Sequence, residues 1–562
     1  MLREPKDSRK GGEKKRLPEH WSKNTVVYQI YPLSFKDSNA DGKGDLAGII
    51  EKVDYLNGKE DSLGINAVWL SPFYRSPMAD FGYDVSDFIS VDPVFGDMEI
   101  FAKLVSELHK RDIKLIVDYV GNHTSGEHSW FVESRSSKDN PKRDWYVWKD
   151  GRSEKEPPNN WMSVFGGSAW EFDPTTKQYY LHSFLSAQPD LNWRNPEVRA
   201  EMMRVIDFWV KKGVDGFRID ALQHFVEDKD FRDDAPNPTY YPGNDDPYKL
   251  LVHDNSLGNS EGMGLVADFI TEALDRHPDI FIVGEAYVGT KDLRKLYELN
   301  SSGRFAPFNF NLIGSKWEAA EWKRIIDEYQ AMLQTTFLPN YVFGNHDVSR
   351  LATRLGEAKS RVAAFLQHTL PGMPFIYYGE ELGMINGTIP HEVLQDFLAK
   401  IFRGFHPGRD LERTPMQWDD SLHAGFSTTR PWLPVGDSYK TDNVAREKTD
   451  PNSMFSLYKS LIEMRKNNPV LRYGEYIPRQ SNSPSVFSFE RKLGDEHLVI
   501  YANFGENIET ENLPPHRGKP NIKFSTSSKD NSLDFSGDES GNGNENGKLK
   551  LLPLEAYIVS LF

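Results

Sequence analysis

The residues 214–224 read Val214-Asp-Gly-Phe-Arg-Ile-Asp220-Ala-Leu-Gln-His224. Apolar Val214, Phe217 and Ile219 alternate with charged Asp215, Arg218 and Asp220, the pattern of a short buried strand that delivers charge at its end. Arg218 and Asp220 are two residues apart, so a strand presents both on one face. A buried carboxylate beside a guanidinium is expected to stay ionised, because the positive charge lowers its pKa. Such a carboxylate can act as a nucleophile. In isolation the same pair would also serve as a structural ion pair.

Further carboxylates and amides stand at the ends of other strand-like runs. One run ends Asp118-Tyr-Val-Gly-Asn122-His123, another Val283-Gly-Glu285, a third Gly344-Asn-His346-Asp347. The runs are 26–31, 67–70, 114–118, 216–220, 280–285, 305–311, 338–343 and 374–378. Amphipathic helix patterns separate them over 98–111, 263–277, 317–333, 358–370 and 454–466. A further helix starts with Asn195 as cap and Pro196 in the first turn. Its apolar face is Val198, Met202, Val205, Ile206, Trp209 and Val210. Eight strands alternating with helices predict an α/β fold, a (β/α)8 TIM barrel, whose active face lies at the C-terminal strand ends. Asp220, Glu285 and Asp347 then converge there, without the Cys or His cluster of a catalytic metal. Paired carboxylates among aromatics and amides suit glycoside cleavage: one attacks or steadies the sugar cation, a protonated one frees the leaving oxygen. Crowding by Asp220 and partial burial are expected to raise the Glu285 pKa, as a general acid requires.

The organisation expected from the chain is a flexible tail over 1–23 and the first part of the barrel over 24–123. An inserted subdomain follows over 124–193, because the connection after the third strand is too long for an ordinary loop. The barrel resumes over 194–471. A C-terminal antiparallel β-sandwich spans 472–562, with a Gly/Asn/Ser-rich loop over 530–547. The 562 residues carry a net charge of −16, which argues against nucleic acid and an anionic membrane surface as partners. There is no cysteine, which excludes disulfides and thiolate chemistry and fits a cytoplasmic location. No apolar run reaches membrane-spanning length. Composition leaves monomer and homodimer both open.

Four of these stretches, 118–123, 216–224, 284–285 and 343–347, resemble the short conserved regions of the α-amylase family, glycoside hydrolase family 13. Gln188-Pro-Asp-Leu-Asn192-Trp193, Asn122–Phe131, Arg413-Thr-Pro-Met-Gln-Trp418 and Ala424-Gly-Phe resemble its oligo-1,6-glucosidase and α-glucosidase branch. The resemblance implies Asp220 as nucleophile, Glu285 as acid/base and Asp347 as transition-state stabiliser. It implies that Asp118, His123, Arg218 and His346 grip the glucose. Asp80 and Tyr83 would close the pocket behind the terminal sugar, with Asp80 paired to an arginine of Arg409-Asp-Leu-Glu-Arg413, Arg413 being favoured. Ala221 implies a preference for α-1,4 over α-1,6 bonds.

The loop Asp37-Ser-Asn39-Ala-Asp41-Gly-Lys43-Gly-Asp45 places oxygen side chains at alternate positions with Gly at the sixth, as in the start of an EF-hand loop. Position twelve is Gly48, and an ordinary Asx/Gly turn explains the pattern equally well. The resemblance implies one structural calcium ion held by Asp37, Asn39, Asp41, the Lys43 carbonyl and Asp45. Three functions are consistent with the chain: an exo-acting, retaining α-glucosidase on short oligosaccharides, a transglucosylase or isomerase of the same fold (trehalose synthase or sucrose isomerase type), and a non-catalytic relative. The last is disfavoured because all three acids are present. Sucrose isomerases carry Arg-Leu-Asp-Arg-Asp after the sixth strand, where this chain reads Gly314-Ser-Lys-Trp-Glu318.

Overall fold

The computed structural model describes residues 20–242, 245–258, 260–333, 337–401, 408–514, 520–526 and 548–561. The loop expected over 530–547 lies outside them, as does the expected tail up to residue 19. Residues 20–23 are not tail. Trp21 opens a short helical turn, donates its indole N–H to the Asp279 carbonyl at 2.8 Å and packs edge-on against Phe281.

Eight parallel strands form the central sheet. They are β1 (Val27–Ile30), β2 (Ala67–Leu70), β3 (Lys114–Tyr119), β4 (Gly216–Ile219), β5 (Phe281–Gly284), β6 (Phe305–Pro307), β7 (Asn340–Val342) and β8 (Met373–Tyr377). Their order is β6-β5-β4-β3-β2-β1-β8-β7. Nearly every strand residue is buried, because helices cover the outside and side chains fill the inside. Register does the positioning: Asp118 on β3 pairs with Arg218 on β4, and Arg218 pairs with Val283 on β5. Arg218 is thus level with Asp118 and one turn of backbone below Glu285.

Among the described residues no ladder joins β6 to β7, and both strands are shorter than expected. A side chain bridges the gap: Asn340, 1% exposed, donates its amide to the Pro307 carbonyl at 2.7 Å and accepts from the Asn309 N–H at 2.9 Å. The helix after the insert begins as predicted, with Asn195 accepting from the Glu197 N–H and Pro196 in the first turn. Its buried face includes Met203, whereas Val210 is only half-buried.

The segment after β3 builds a three-stranded antiparallel sheet from Trp148–Lys149, Trp170–Asp173 and Gln178–Leu181, with its own core of Val147, Trp161, Trp170 and Tyr179. At the C-terminal end a five-stranded antiparallel sheet (475–478, 486–493, 496–503, 556–561 and 521–525) faces a two-stranded one (509–512 and 548–551) across a small core around Val499, Leu549 and Val559.

Replacing Asn340 by Leu keeps the volume but strands one buried N–H and one buried carbonyl. Each unsatisfied group costs about 1–3 kcal/mol. Asn340→Leu should lower the midpoint of thermal inactivation clearly, measured beside wild type at one scan rate. An unchanged midpoint would mean that the seam is closed by something else.

Candidate active site

Arg218 is the hub. It is 1% exposed and lies between the Trp69 and Tyr83 rings. Its Nη1 bonds Asp118 and, at 2.7 Å, Asp220; its Nη2 reaches Glu285 at 2.7 Å. Asp118 also accepts the Trp69 indole N–H at 2.8 Å. After Asp220 the chain leaves the strand abruptly. Ala221 takes a left-handed conformation, φ 48°, and its N–H points at Glu285 Oε2, 3.1 Å away. Few non-glycine residues adopt this conformation; here it turns the backbone N–H after Asp220 toward Glu285.

One guanidinium therefore serves three buried carboxylates. Burial pushes the Asp118 carboxyl up to about 6, against the pull of Arg218. Burial also raises Asp220 well above the usual carboxylate range, with Glu285, Asp118 and Asp347 adding to it and Arg218 opposing. The expectation that Arg218 keeps Asp220 low is overturned, because burial outweighs the guanidinium and the neighbouring carboxylates add to the rise. The group carries two more negative than positive charges when fully ionised, which favours protonation of the buried Asp118 and Asp220 carboxyls.

The β7 end is the reverse case. Asp347 accepts from Arg413 Nη2 at 2.8 Å and Arg409 Nη1 at 3.3 Å, and lies 3.1 Å from His346 Nε2. Burial would raise its pKa, but His346, Arg413 and Arg409 more than reverse this and hold it well below the carboxylate range. Burial itself lowers His346 far below neutrality, so at pH 7 the two arginines carry the effect. Gln29 bonds His346 Nδ1 at 2.8 Å and the Tyr83 hydroxyl bonds Nε2 at 2.7 Å, which fixes the ring.

The partner of Asp80 is Arg409, at 2.8 Å, and not Arg413. Asp396 decides this. It accepts from both the backbone N–H and Nε of Arg409 and aims the guanidinium at Asp80. Arg413 instead donates Nε to the His346 carbonyl at 2.7 Å and holds Asp347. Gln188, from the motif at the end of the insert, links Asp80 to His123, 3.1 Å from each. Burial lowers His123 to about 4, so it is neutral.

These groups surround a cavity of about 420 Å³, within the usual range for small-ligand sites. Asp80, Tyr83, His123, Asp220, Ala221, Glu285 and Asp347 line it, as does Arg409. Asp118, Arg218, His346 and Arg413 are buried behind it. Phe165, Phe184, Tyr287 and Leu398 complete the wall, with Gln223 and Asp246 among the polar lining groups. Sequence reasoning missed these wall residues. Only Tyr287, two residues beyond Glu285, and Gln223, three beyond Asp220, carried a positional signal.

The 37–45 loop is knitted to itself. Asp37 accepts from the N–H groups of Asn39, Ala40 and Gly42 and from the Ser427 hydroxyl. Asn39 accepts from Asp41 N–H, and Asp41 from Lys43 N–H. Asp45 caps the helix Leu46–Leu56 through the Gly48 N–H. The donors are all hard oxygens, the right chemistry for calcium. Among the described residues, however, no three acidic or histidine side chains are grouped so as to hold a metal ion.

Comparison with known proteins places this geometry in a family. Residues 29–474 match the model of the alpha amylase catalytic domain. The oligo-1,6-glucosidase of Parageobacillus thermoglucosidasius is 40% identical over 539 residues, covering 88% of this chain and 92% of that protein. An α-glucosidase of Apis mellifera is 38% identical over 523 residues, covering 90% and 89%. The crystal structure of isomaltulose synthase from Klebsiella sp. LX3 superposes with a TM-score of 0.83 at 32% identity, covering 97% of this chain and all of that one. Barrel, acid cluster and full-length similarity agree: the chain belongs to the α-amylase family and is a glycoside hydrolase.

Proposed function

We propose that this enzyme is a retaining, exo-acting α-glucosidase that hydrolyses the terminal non-reducing α-glucosidic bond of maltose and short oligosaccharides, preferring α-1,4 to α-1,6 linkages. The observation that carries the reading is Arg218 holding Asp220 and Glu285 at 2.7 Å each within one cavity. Two acids on one guanidinium stay close, and close carboxylates favour a covalent route over the wider spacing that admits a water between them.

Asp220 attacks the anomeric carbon while Glu285 gives its proton to the departing glycosidic oxygen, leaving glucose esterified to Asp220. Glu285, now a carboxylate, takes a proton from water as that water attacks the same carbon; Asp220 leaves and α-glucose is released. Asp347, kept anionic by Arg413 and Arg409, stabilises the cationic sugar in the transition state of each step. The Asp80–Arg409 pair closes the cavity behind the terminal glucose and forbids attack within a long chain. An isomerase shares the first half of this sequence and then returns the released sugar to the ester. The similarity to isomaltulose synthase keeps that second reading, and the products formed from sucrose separate the two. The linkage preference rests on Ala221, whose small side chain lines the cavity beside Asp220. The name of the 40% identical relative points to α-1,6 bonds, that of the Apis mellifera relative to α-glucosides generally. We propose also that the 37–45 loop takes one structural calcium ion, which its hard-oxygen donors support.

Asp220→Asn should abolish turnover in a folded protein. Glu285→Gln should slow maltose far more than an aryl α-glucoside, whose leaving group needs little protonation. Equal losses on both substrates would remove Glu285 from the acid role.

For linkage, Ala221→Val should lower kcat/KM on maltose relative to isomaltose by at least several-fold, small apolar changes in a pocket being worth roughly ten- to two-hundredfold. Valine is strained at positive φ and will cost stability, so the ratio of substrates is the readout rather than the absolute rate. Wild-type preference for isomaltose would sink the assignment.

Chelation should lower the thermal midpoint more than it lowers turnover at moderate temperature, since an ion bound only to the folded state stabilises it. Asp41→Ala should reproduce the effect. If neither moves the midpoint, the loop is a turn without a metal.

A further inference from the structure

The turn that carries Asn345, His346 and Asp347 runs from Phe343 to Ser349 and has no ladder of its own. Arg354, on the short helix Leu351–Leu355, spans it from beneath. Its Nη2 donates to the Phe343 carbonyl and its Nε to the Ser349 carbonyl at 2.8 Å, one bond at each end of the turn. Its Nη1 donates to the Ile313 carbonyl, in the segment after β6. That segment carries Phe310, which packs against Tyr287 at 4.6 Å between ring centres, and Tyr287 follows Glu285 by two residues. Asn345 in turn lies 3.4 Å from the Tyr287 hydroxyl. One guanidinium therefore ties the end of β7 to the walls built after β5 and β6.

The underside of the turn is packed as closely. Gly344 faces Glu380, and a Cβ at Gly344 would stand 2.5 Å from Glu380 Oε1. Glu380 is 5% exposed. Burial pushes its carboxyl up to about 8 against the pull of Arg354, so at neutral pH it is mostly protonated and fills the space beneath the turn without adding a full charge there. Three carbonyls held by one planar fork define a position far more tightly than three separate flexible contacts would.

We propose that Arg354 is a positioning residue for the reaction: by clamping Phe343, Ser349 and Ile313 it sets the height of Asp347 against Asp220 and Glu285. The inference rests on the reading of Asp347 as transition-state stabiliser. A misplacement of about 1 Å at a reacting centre can cost about a hundredfold in rate.

Arg354→Met and Arg354→Lys, assayed on maltose beside Asp347→Asn, test it. Arg354→Met should lower kcat by roughly ten- to a hundredfold with KM within about threefold, the signature of an interaction felt in the transition state. Guanidinium ion at non-denaturing concentration should restore part of that kcat. Lysine, which keeps the charge but cannot span three carbonyls, should fall between. Thermal midpoints report folding separately. If Arg354→Met does not yield folded protein, Arg354→Lys decides alone, and wild-type kcat in it overturns the proposal. So does a folded Arg354→Met with lowered midpoint and unchanged kcat. If Asp347→Asn keeps its activity, the functional reading fails first; if it is dead while the Arg354 variants turn over normally, only the clamp fails.

Discussion

The contact on which this enzyme depends is the guanidinium of Arg218, shared by Asp118, Asp220 and Glu285. A buried cation would be costly alone, and three buried anions would be costlier. Together they partly compensate one another, and burial still leaves Asp118 and Asp220 easier to protonate than free carboxylates. The contact also brings Asp220 and Glu285 to one guanidinium, 2.7 Å from each.

The barrel makes this contact by register rather than by fine adjustment of loops. Parallel pairing puts Asp118, Arg218 and Val283 at one level on three neighbouring strands, and Glu285 two residues beyond. Every inward-facing residue at that level is fixed once the strands are paired. The weak point is the gap between β6 and β7, which the Asn340 side chain bridges. Asp347 follows just past that seam, and the turn bearing it needs separate support. Arg354 lies beneath that turn.

What was legible in the sequence was local. Arg218 and Asp220 sit two apart on one strand, so their common face follows from strand geometry alone. The same holds for the acid at the end of β5 and for the Asn195 cap. What was not legible depends on contacts across hundreds of residues. Asp80 and Arg409 meet because Asp396 turns the arginine, and nothing near Arg409 or Arg413 says which of them Asp396 will hold. The strain at Ala221 is equally silent, since alanine is no marker of a left-handed backbone. The pKa of Asp220 was misjudged for a related reason: pairing with Arg218 is visible in the sequence, but the depth of burial that outweighs it and the other acids around it are not.

The two ends of the cavity have opposite electrostatics although both are buried. Around Arg218 carboxylates outnumber cations, and Asp118 and Asp220 are raised. Asp347 instead touches two guanidinium groups, Arg413 and Arg409, although Arg409 is shared with Asp80 and Asp396, and His346 is neutral. Burial alone would have protonated all of these acids alike. The number of guanidinium groups touching each carboxylate separates them, and environments that push carboxyl groups apart are what divide acid from base roles. A proton entering the cavity therefore goes to Asp118 or Asp220 and leaves Asp347 charged. In the mechanism proposed above, the positive charge developing on the sugar would then meet a fixed anion on one side, with proton transfer confined to the other.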